Sequence, residues 1–229
     1  SKPKASMKQV TEKLDAPETL RQHFCLVDAK LRLVTLIAFL RLRSRRESAK
    51  SIVFFSSCDS VDFHYDLFRT IPLPKLLQSA GDIPNGTKDV KKKDGAPFSL
   101  EESLCGVEIF RIHGNMSQID RMASFKSFRS AKRGILLCTD IASRGLDLPL
   151  VSLSLQYDPP THDEDTEYIH RVGRTARIGS SGDALLFLLP SESKYIEILE
   201  KRGMELKKVS ADAALAALLI HKPEYAHSK

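Results

Sequence analysis

The chain has 229 residues, of which 42% are hydrophobic and 28% are charged, as in ordinary globular proteins. This composition excludes a wholly disordered chain, a collagen-like chain and a disulfide scaffold, and the length allows one large or two small domains. The formal net charge of +6 favours an anionic partner, although a solvated basic surface explains it equally well. We find no apolar run near the roughly 18 residues of a membrane span and no secretory signal, so we expect no membrane association.

The cysteines form no C-x-x-C pair and have no histidine at zinc-finger spacing. Cysteines inside apolar runs are typical of buried thiols in a reducing compartment. We therefore predict no metal site and no disulfide for Cys25, Cys58, Cys105 and Cys138.

Short β-rich runs alternate with amphipathic segments along the chain. This alternation predicts an α/β fold, with a doubly wound parallel sheet covered by helices on both faces. Ligands of such sheets bind outside the carboxyl ends of the strands. In chain order, the predicted elements are a weak strand at Arg21–Val27, a helix at Ala29–Arg43, strands at Ser51–Phe55 and Val107–Ile112, a helix at Gln118–Arg129, strands at Gly134–Cys138 and Val151–Tyr157, a helix at Asp163–Arg174, a strand at Ala184–Leu189 and a helix at Glu192–Arg202.

We expect one domain over residues 17–221, with a flexible linker at 1–16 and a disordered tail at 222–229. Residues 73–104 interrupt the alternation with several prolines and glycines, which predicts a mobile surface insert within that domain. A lysine run at residues 91–93 could contact nucleic-acid phosphates, but a solvated loop is the simpler explanation.

Three arginines recur at every third position, at Arg171, Arg174 and Arg177, in a segment that also contains two glycines. On a helix they would fan over roughly 120° of one side, and so many guanidinium groups repel each other unless an anion lies among them. The pattern favours a polyphosphate clamp, with one or two arginines acting on transition-state charge. The alternative is a surface helix in which Glu167 pairs with Arg171, which accounts for one arginine and not for all three.

Polar residues follow the apolar strand Gly134–Cys138. Thr139 and Arg144 can donate hydrogen bonds to phosphates, Gly145 allows a tight turn, and Asp147 can accept from a ribose hydroxyl. The alternative is a plain turn in which Asp147 acts as a local cap.

A glycine turn after Val107–Ile112 leads into a helix that begins near Ser117. Free backbone N–H groups at a helix start favour an anion, and Gln118 and Arg121 lie one turn apart there. A capped helix with solvated side chains is an equally good interpretation.

Together these blocks resemble the second RecA-like domain of the DEAD-box RNA helicases, from about Pro17 to Leu218 except for the insert. Among that family the chain is most similar to the nucleolar members that assemble the large ribosomal subunit. The matching segments are His170–Arg177 with H-R-x-G-R-x-x-R, Cys138–Asp147 with T-D-x-x-x-R-G-x-D, Ser51–Ser56 with the motif IV strand, and Gln118 and Arg121 with Q-x-x-R.

The resemblance implies a role for each matching residue. Arg174 and Arg177 would be arginine fingers on the γ-phosphate of ATP, and His170 and Arg171 would couple to an acidic motif of the first RecA-like domain. Asp147 and Gly145 would hold the nucleotide. The residues implied in binding the RNA backbone are Gln118, Arg121, Thr139, Arg144 and Gly145.

The sequence contains no G-x-x-x-x-G-K-[ST] loop to cradle phosphates. The acidic run Asp163–Asp165 imitates a Mg²⁺-binding motif, but it does not directly end an apolar strand, so we assign it to a helix start. We therefore expect ATP and Mg²⁺ to be bound mainly by the first domain, and this chain alone to have no meaningful ATPase activity.

The implied protein is a monomeric, nucleolar, ATP-dependent RNA helicase that acts on pre-ribosomal RNA in the nucleus. Three alternatives stay open. They are a stand-alone RecA-like module that binds RNA or a partner without turnover, a DNA translocase of the same superfamily, and a small-molecule enzyme on a Rossmann-like sheet.

Overall fold

The computed structural model describes residues 20–45, 49–72, 103–140, 148–160, 164–175 and 182–219. The predicted linker, most of the insert and the tail lie outside these residues. The described strands are β1 (Leu20–Leu26), β2 (Lys50–Phe54), β3 (Ile109–Ile112), β4 (Gly134–Cys138), β5 (Leu153–Gln156), β6 (Gly182–Leu188) and β7 (Lys207–Lys208). The described α-helices are α1 (Arg32–Ser44), α2 (Cys58–Thr70), α3 (Gln118–Ser130), α4 (Glu164–Val172), α5 (Lys194–Lys201) and α6 (Ala211–Leu219).

The strands form one parallel sheet in the order β3-β4-β2-β5-β6-β1-β7. Phe54, the last residue of β2, lies opposite Cys138 of β4 and Gln156 of β5. The carboxyl ends of these three central strands are therefore level, so the loops that follow them meet at one edge. The structure confirms the predicted doubly wound parallel sheet.

Alternate residues of β2 point to opposite faces of the sheet, as strand geometry requires. Val53 and Phe55 pack with α1 and α2 on one face, whereas Ile52 and Phe54 pack with α3 on the other. Helices α4 and α5 cover β6 and β1 on the same face of the sheet as α3. Tyr168 of α4 is buried in the apolar cluster between these helices and strands. Because both faces are buried there, β4 and β6 are almost continuously apolar.

Each predicted strand is present, with ends shifted by at most two residues, and β1 is complete although its sequence signal was weak. Three described elements were not predicted, namely α2, α6 and β7. The two residues of β7 are exposed lysines that pair with His23 and Phe24 of β1. These two residues form a strand only because they pair with β1, so no local sequence pattern predicts it.

The two ends of the predicted insert lie side by side. Pro72 and Ser103 form an isolated antiparallel bridge, and the Arg41 guanidinium donates to the Ser103 carbonyl at 2.9 Å. The chain then turns at Gly106, whose φ of 70° favours glycine. Leu104, the last residue of the predicted insert, is buried in the core. The insert therefore leaves and rejoins the domain at one point.

None of the described helices is long and apolar enough to cross a membrane.

Candidate functional site

The loops after β2, β4 and β5 meet at the carboxyl edge of the sheet, where a parallel α/β fold places its ligands. They bring together Ser56, Asp140 and Asp158, each within two residues of a strand end. Two guanidinium groups, one buried and one largely buried, connect these loops to one another.

The first of these groups is Arg171 of α4, which is 1% exposed. Its Nε and Nη2 donate to the two carboxylate oxygens of Asp140 at 2.6 and 3.0 Å. Its Nη1 donates to the Asp158 carbonyl at 2.8 Å and to Gln156 Oε1 at 3.3 Å. The guanidinium carbon lies 5.3 Å from the centre of the Phe54 ring. Arg171 therefore locks α4 to the loops after β4 and β5.

The resemblance implies that Arg171 couples to an acidic motif of a first domain, and this stays a prediction. Within this chain, the Arg171 side chain reaches Asp140 and Asp158 because the side chains of a helix lean towards its start, which here lies at the carboxyl edge. The Ser154 hydroxyl fixes the helix by donating to the Arg171 carbonyl at 2.8 Å.

The second group is Arg32, at the start of α1. It donates to Asp158 Oδ1 at 2.9 Å and to the Tyr157 carbonyl, and its guanidinium carbon lies 4.5 Å from the Tyr157 ring centre. The other oxygen of Asp158 accepts from the backbone N–H and the hydroxyl of Ser56, at 3.0 and 3.1 Å. This network fixes the loop that follows β2.

His170 and Arg174 lie elsewhere. His170 is exposed, and Arg174 is half-buried, with its Nε 3.3 Å from the His170 carbonyl. The Arg174 carbonyl accepts from the backbone N–H of Val151, just before β5 begins. Helix α4 runs antiparallel to the strands, so the backbone of its last turn lies beside their starts, although the Arg171 side chain reaches back to the carboxyl edge.

A tight contact fixes the residue after Arg174. The Thr175 hydroxyl donates to the Val151 carbonyl at 2.7 Å, and Thr175 packs directly on Gly182 at the start of β6. A Cβ atom at Gly182 would lie 2.2 Å from the Thr175 carbonyl oxygen, closer than any real contact. Position 182 must therefore be glycine for Thr175 to pack against it.

Gln118, Arg121 and Thr139 lie at the carboxyl edge, as predicted for the loops after β3 and β4. Ser117 caps α3 by accepting from the Asp120 backbone N–H at 3.1 Å. The Arg121 guanidinium donates to the Gln118 side chain within the first turn, and Gln118 is exposed. Thr139 follows β4 and donates its backbone N–H to Ile112, the last residue of β3. Adjacent strands thus place all three residues along one edge.

The remaining predicted site residues lie outside the described part of the chain. They are Arg144, Gly145, Asp147 and Arg177.

The sequence analysis did not single out Asp140, Asp158 or Arg32. Each carboxylate follows a buried strand by two residues, a position that could have marked both as edge residues. Arg32 carried no comparable signal, because its partner is 126 residues away in the sequence.

The thiol at the end of β4 takes no part in chemistry at this edge. Cys138 is fully buried, and burial raises its pKa far above the usual value, so the thiol stays protonated. Burial likewise raises the pKa of Cys105 to about 12 and that of Cys25 to about 11. Within the described residues, no group of three or more His, Cys, Asp or Glu side chains could hold a metal ion.

Comparison with known proteins gives a consistent family. Residues 85–179 match the model described as "Helicase conserved C-terminal domain". A human protein named ATP-dependent DNA helicase DDX31 is 42% identical over 211 residues, which cover 90% of this chain and 23% of the relative. ATP-dependent RNA helicase dbp7 of Schizosaccharomyces pombe is 44% identical over 190 residues, covering 81% of this chain and 26% of the relative. The chain thus spans about a quarter of the length of these relatives.

Solved structures share the fold. The C-terminal domain of the DEAD-box protein Dbp5 superposes with a TM-score of 0.61 at 20% identity, covering 88% of this chain and 97% of that one. Domain 2 of the DEAD-box helicase Mss116p, solved bound to an RNA duplex, superposes with a TM-score of 0.57 at 22% identity, covering 89% and 71%.

Proposed function

Since the chain belongs to the C-terminal RecA-like domains of the DEAD-box helicases, we propose that it forms the second half of an ATP-dependent RNA helicase. The observation that carries the proposal is the Arg171–Asp140 pair. It joins the helix of the arginine segment to Asp140 after β4, so the two motifs, whose implied ligands differ, would move together. Two motifs that move together can transmit nucleotide binding at one place to nucleic acid held at another.

The RNA-binding side of the proposal rests on the carboxyl edge. Gln118, Arg121 and Thr139 present amide, guanidinium and hydroxyl donors there, and Arg144 and Gly145 would complete the set. Donors of this kind contact phosphates and sugars, so binding should be independent of base sequence and sensitive to salt.

The nucleotide-binding side rests on Arg174, with Arg177, Gly145 and Asp147 as the further residues implied by the family. Arg174 lies just after the end of α4, and its neighbour Thr175 is held in place by a hydrogen bond to the Val151 carbonyl. Arginine donors near the γ-phosphate would stabilise transition-state charge. A first RecA-like domain would supply the phosphate loop and the Mg²⁺ ligands, so this chain alone would not turn over ATP.

We propose a ribosome-assembly role, with pre-ribosomal RNA as substrate and a monomer in the nucleolus, from the likeness to nucleolar family members. The names of the relatives differ on the nucleic acid, since the human one is called a DNA helicase and the fission-yeast one an RNA helicase. RNA and DNA must therefore be compared directly.

The test measures ATP hydrolysis by the protein that carries this chain together with a first RecA-like domain. We expect single-stranded RNA to stimulate turnover more than DNA of the same sequence. Arg174→Ala should lower the RNA-stimulated rate about a thousandfold or more, because it removes a finger. The matched control is Arg69→Ala, since Arg69 is an exposed arginine of α2 whose guanidinium donates to Tyr65 within the same helix.

Stimulation by DNA alone would make the chain part of a DNA translocase. If neither nucleic acid stimulates turnover, or Arg174→Ala behaves like the control, the helicase proposal is wrong and a binding module without turnover replaces it.

A further inference from the structure

A cluster of cations lies at the amino edge of the sheet, opposite the edge described above. It comprises the last turn of α3, the turn that leads into β4, and the end of α1. We call it the basic corner. It is made of the exposed cations Arg45, Lys126, Arg129 and Lys132, and Arg133 beside them is also exposed.

Backbone contacts hold these residues together. The Lys50 ammonium donates to the Arg129 carbonyl at 2.8 Å and lies 5.4 Å from the centre of the Phe128 ring. The Arg133 guanidinium donates to the carbonyl of Ser44, which brings the turn before β4 against the end of α1. The corner is therefore built on fixed backbone and not on a free loop.

No ion pair within the described residues includes any of these four cations. Cations also commonly stabilise helix ends by binding the last carbonyls. Here, however, Lys50 binds the Arg129 carbonyl, and the Ser130 hydroxyl donates to the Lys126 carbonyl at 3.0 Å. Lys126 and Arg129 are therefore not needed as caps.

The surface at the corner is concave. Lys126, Arg129 and Ser130 line an open depression of about 340 Å³. Lys126 and Arg129, the two cations that line it, repel each other and gain from an anion that enters it.

We propose that the basic corner is a second nucleic-acid surface, which binds the phosphate backbone of a strand beyond the segment held at the carboxyl edge. Helix α3 connects the two places, with Gln118 and Arg121 in its first turn and Arg129 in its last. Its 13 residues span about 20 Å at 1.5 Å each. A longer strand can reach both ends of α3, whereas a short one fills only the first. This inference rests on the proposed function only for the identity of the carboxyl-edge site.

The test compares two triple variants of this chain in equilibrium binding to oligouridylate. The first, Lys126→Ala/Arg129→Ala/Lys132→Ala, removes three cations of the basic corner. The matched control, Lys194→Ala/Lys201→Ala/Lys207→Ala, removes three exposed cations from α5 and β7. Both are measured with an oligomer of about 4 nucleotides, which at about 3.4 Å each is shorter than α3, and one of about 24 nucleotides, which is longer than a usual single-strand site.

We expect the corner variant to bind the long oligomer about tenfold more weakly than the control variant does. The slope of log affinity against log salt concentration should be smaller in magnitude by about 2. Binding of the short oligomer should match that of the control. A third variant, Gln118→Ala/Arg121→Ala, should weaken binding of both oligomers, which reports on the carboxyl edge separately. Failure of the proposed RNA site would thus appear in the third variant, whatever the corner variant does.

Two results would overturn the proposal. One is an equal effect of the corner and control variants on the long oligomer. The other is a corner-dependent affinity for a polyglutamate peptide of the same charge that exceeds the affinity for RNA, because the corner would then be a docking surface for an acidic protein.

Discussion

The two edges of the sheet use their cations in opposite ways. At the carboxyl edge, Arg171 is buried and Arg32 is largely buried, and they form ion pairs with Asp140 and Asp158 respectively. At the basic corner, none of the four cations is in an ion pair among the described residues. A paired guanidinium fixes backbone, whereas an unpaired cation is available to an external anion. The presence of an ion pair within the chain therefore distinguishes cations that stabilise the fold from cations that are available to bind a ligand.

The amino edge is not uniformly unpaired, which shows that the partner matters and not the edge. Asp183, at the start of β6, accepts from Arg43 at 2.6 Å and from Arg21 at 2.7 Å. This second corner of the same edge is a structural ion triad. Three predictions follow the comparison from the buried pair, through the triad, to the basic corner.

Removing the buried guanidinium should have the largest effect. Arg171→Ala deletes four hydrogen bonds and leaves a cavity beneath Phe54, and we expect it to lower the free energy of unfolding by about 3 kcal/mol. This is the low end for a broken buried pair, because Asp140 is 40% exposed and can be rehydrated. Urea unfolding followed by circular dichroism measures it.

Two further variants define that result. Arg171→Lys keeps a charge but cannot bind both carboxylate oxygens, so it should recover only part of the loss. Arg69→Ala, on exposed helix surface, should change the stability by less than about 0.5 kcal/mol. A cost for Arg171→Ala no larger than that for Arg69→Ala would show that burial of the pair does not stabilise the edge.

The triad should give an intermediate effect that depends on pH. Burial opposes the charged form of Asp183, but hydrogen bonds from Arg21 and Arg43 outweigh it and lower the pKa of the carboxyl below its usual value. A carboxyl whose pKa is lower in the folded state stabilises the protein above its unfolded pKa, and this stabilisation is lost as pH falls through the folded value.

Asp183→Asn should therefore cost about 2 kcal/mol near pH 7, and the difference from wild type should shrink below about pH 4. Urea unfolding of both proteins over that range measures it. A difference that grows as the pH falls would mean that the pKa is raised and that the triad does not stabilise the charged form.

The sequence predicted the architecture because the strands carry their own signal. Runs such as Gly134–Cys138 are apolar throughout, and a fully buried strand needs nothing more. Helix α2 was not predicted, although Val61 and Phe68 lie on one buried face of it. The buried residue between them is His64, so the apolar pattern of this helix is interrupted by a polar residue. The strength of an apolar pattern therefore decides which elements the sequence can show.

The candidate site was less predictable, because its main contacts join distant segments. Thr139 and Gln118 were placed at the correct edge by their positions after strands. The pairing of Arg171 with Asp140 spans 31 residues and depends on the packing of α4 against the sheet. Spacing alone shows that arginines recur at every third position, but it cannot show which of them is buried against a carboxylate.

The smallest effect on stability is expected at the basic corner. The variant Lys126→Ala/Arg129→Ala/Lys132→Ala removes no ion pair described in the structure, so its unfolding free energy should stay within about 0.5 kcal/mol of wild type. Any change should be a small gain at low salt that disappears at high salt, because neutralisation relieves repulsion among like charges. Urea unfolding at two ionic strengths measures both. A loss above about 1 kcal/mol would mean that these cations stabilise the fold, and the contrast between paired and unpaired cations would fail. If this variant keeps the stability of wild type but binds long RNA more weakly, the loss of binding cannot come from a change in folding. The cations of the basic corner would then contact the RNA directly.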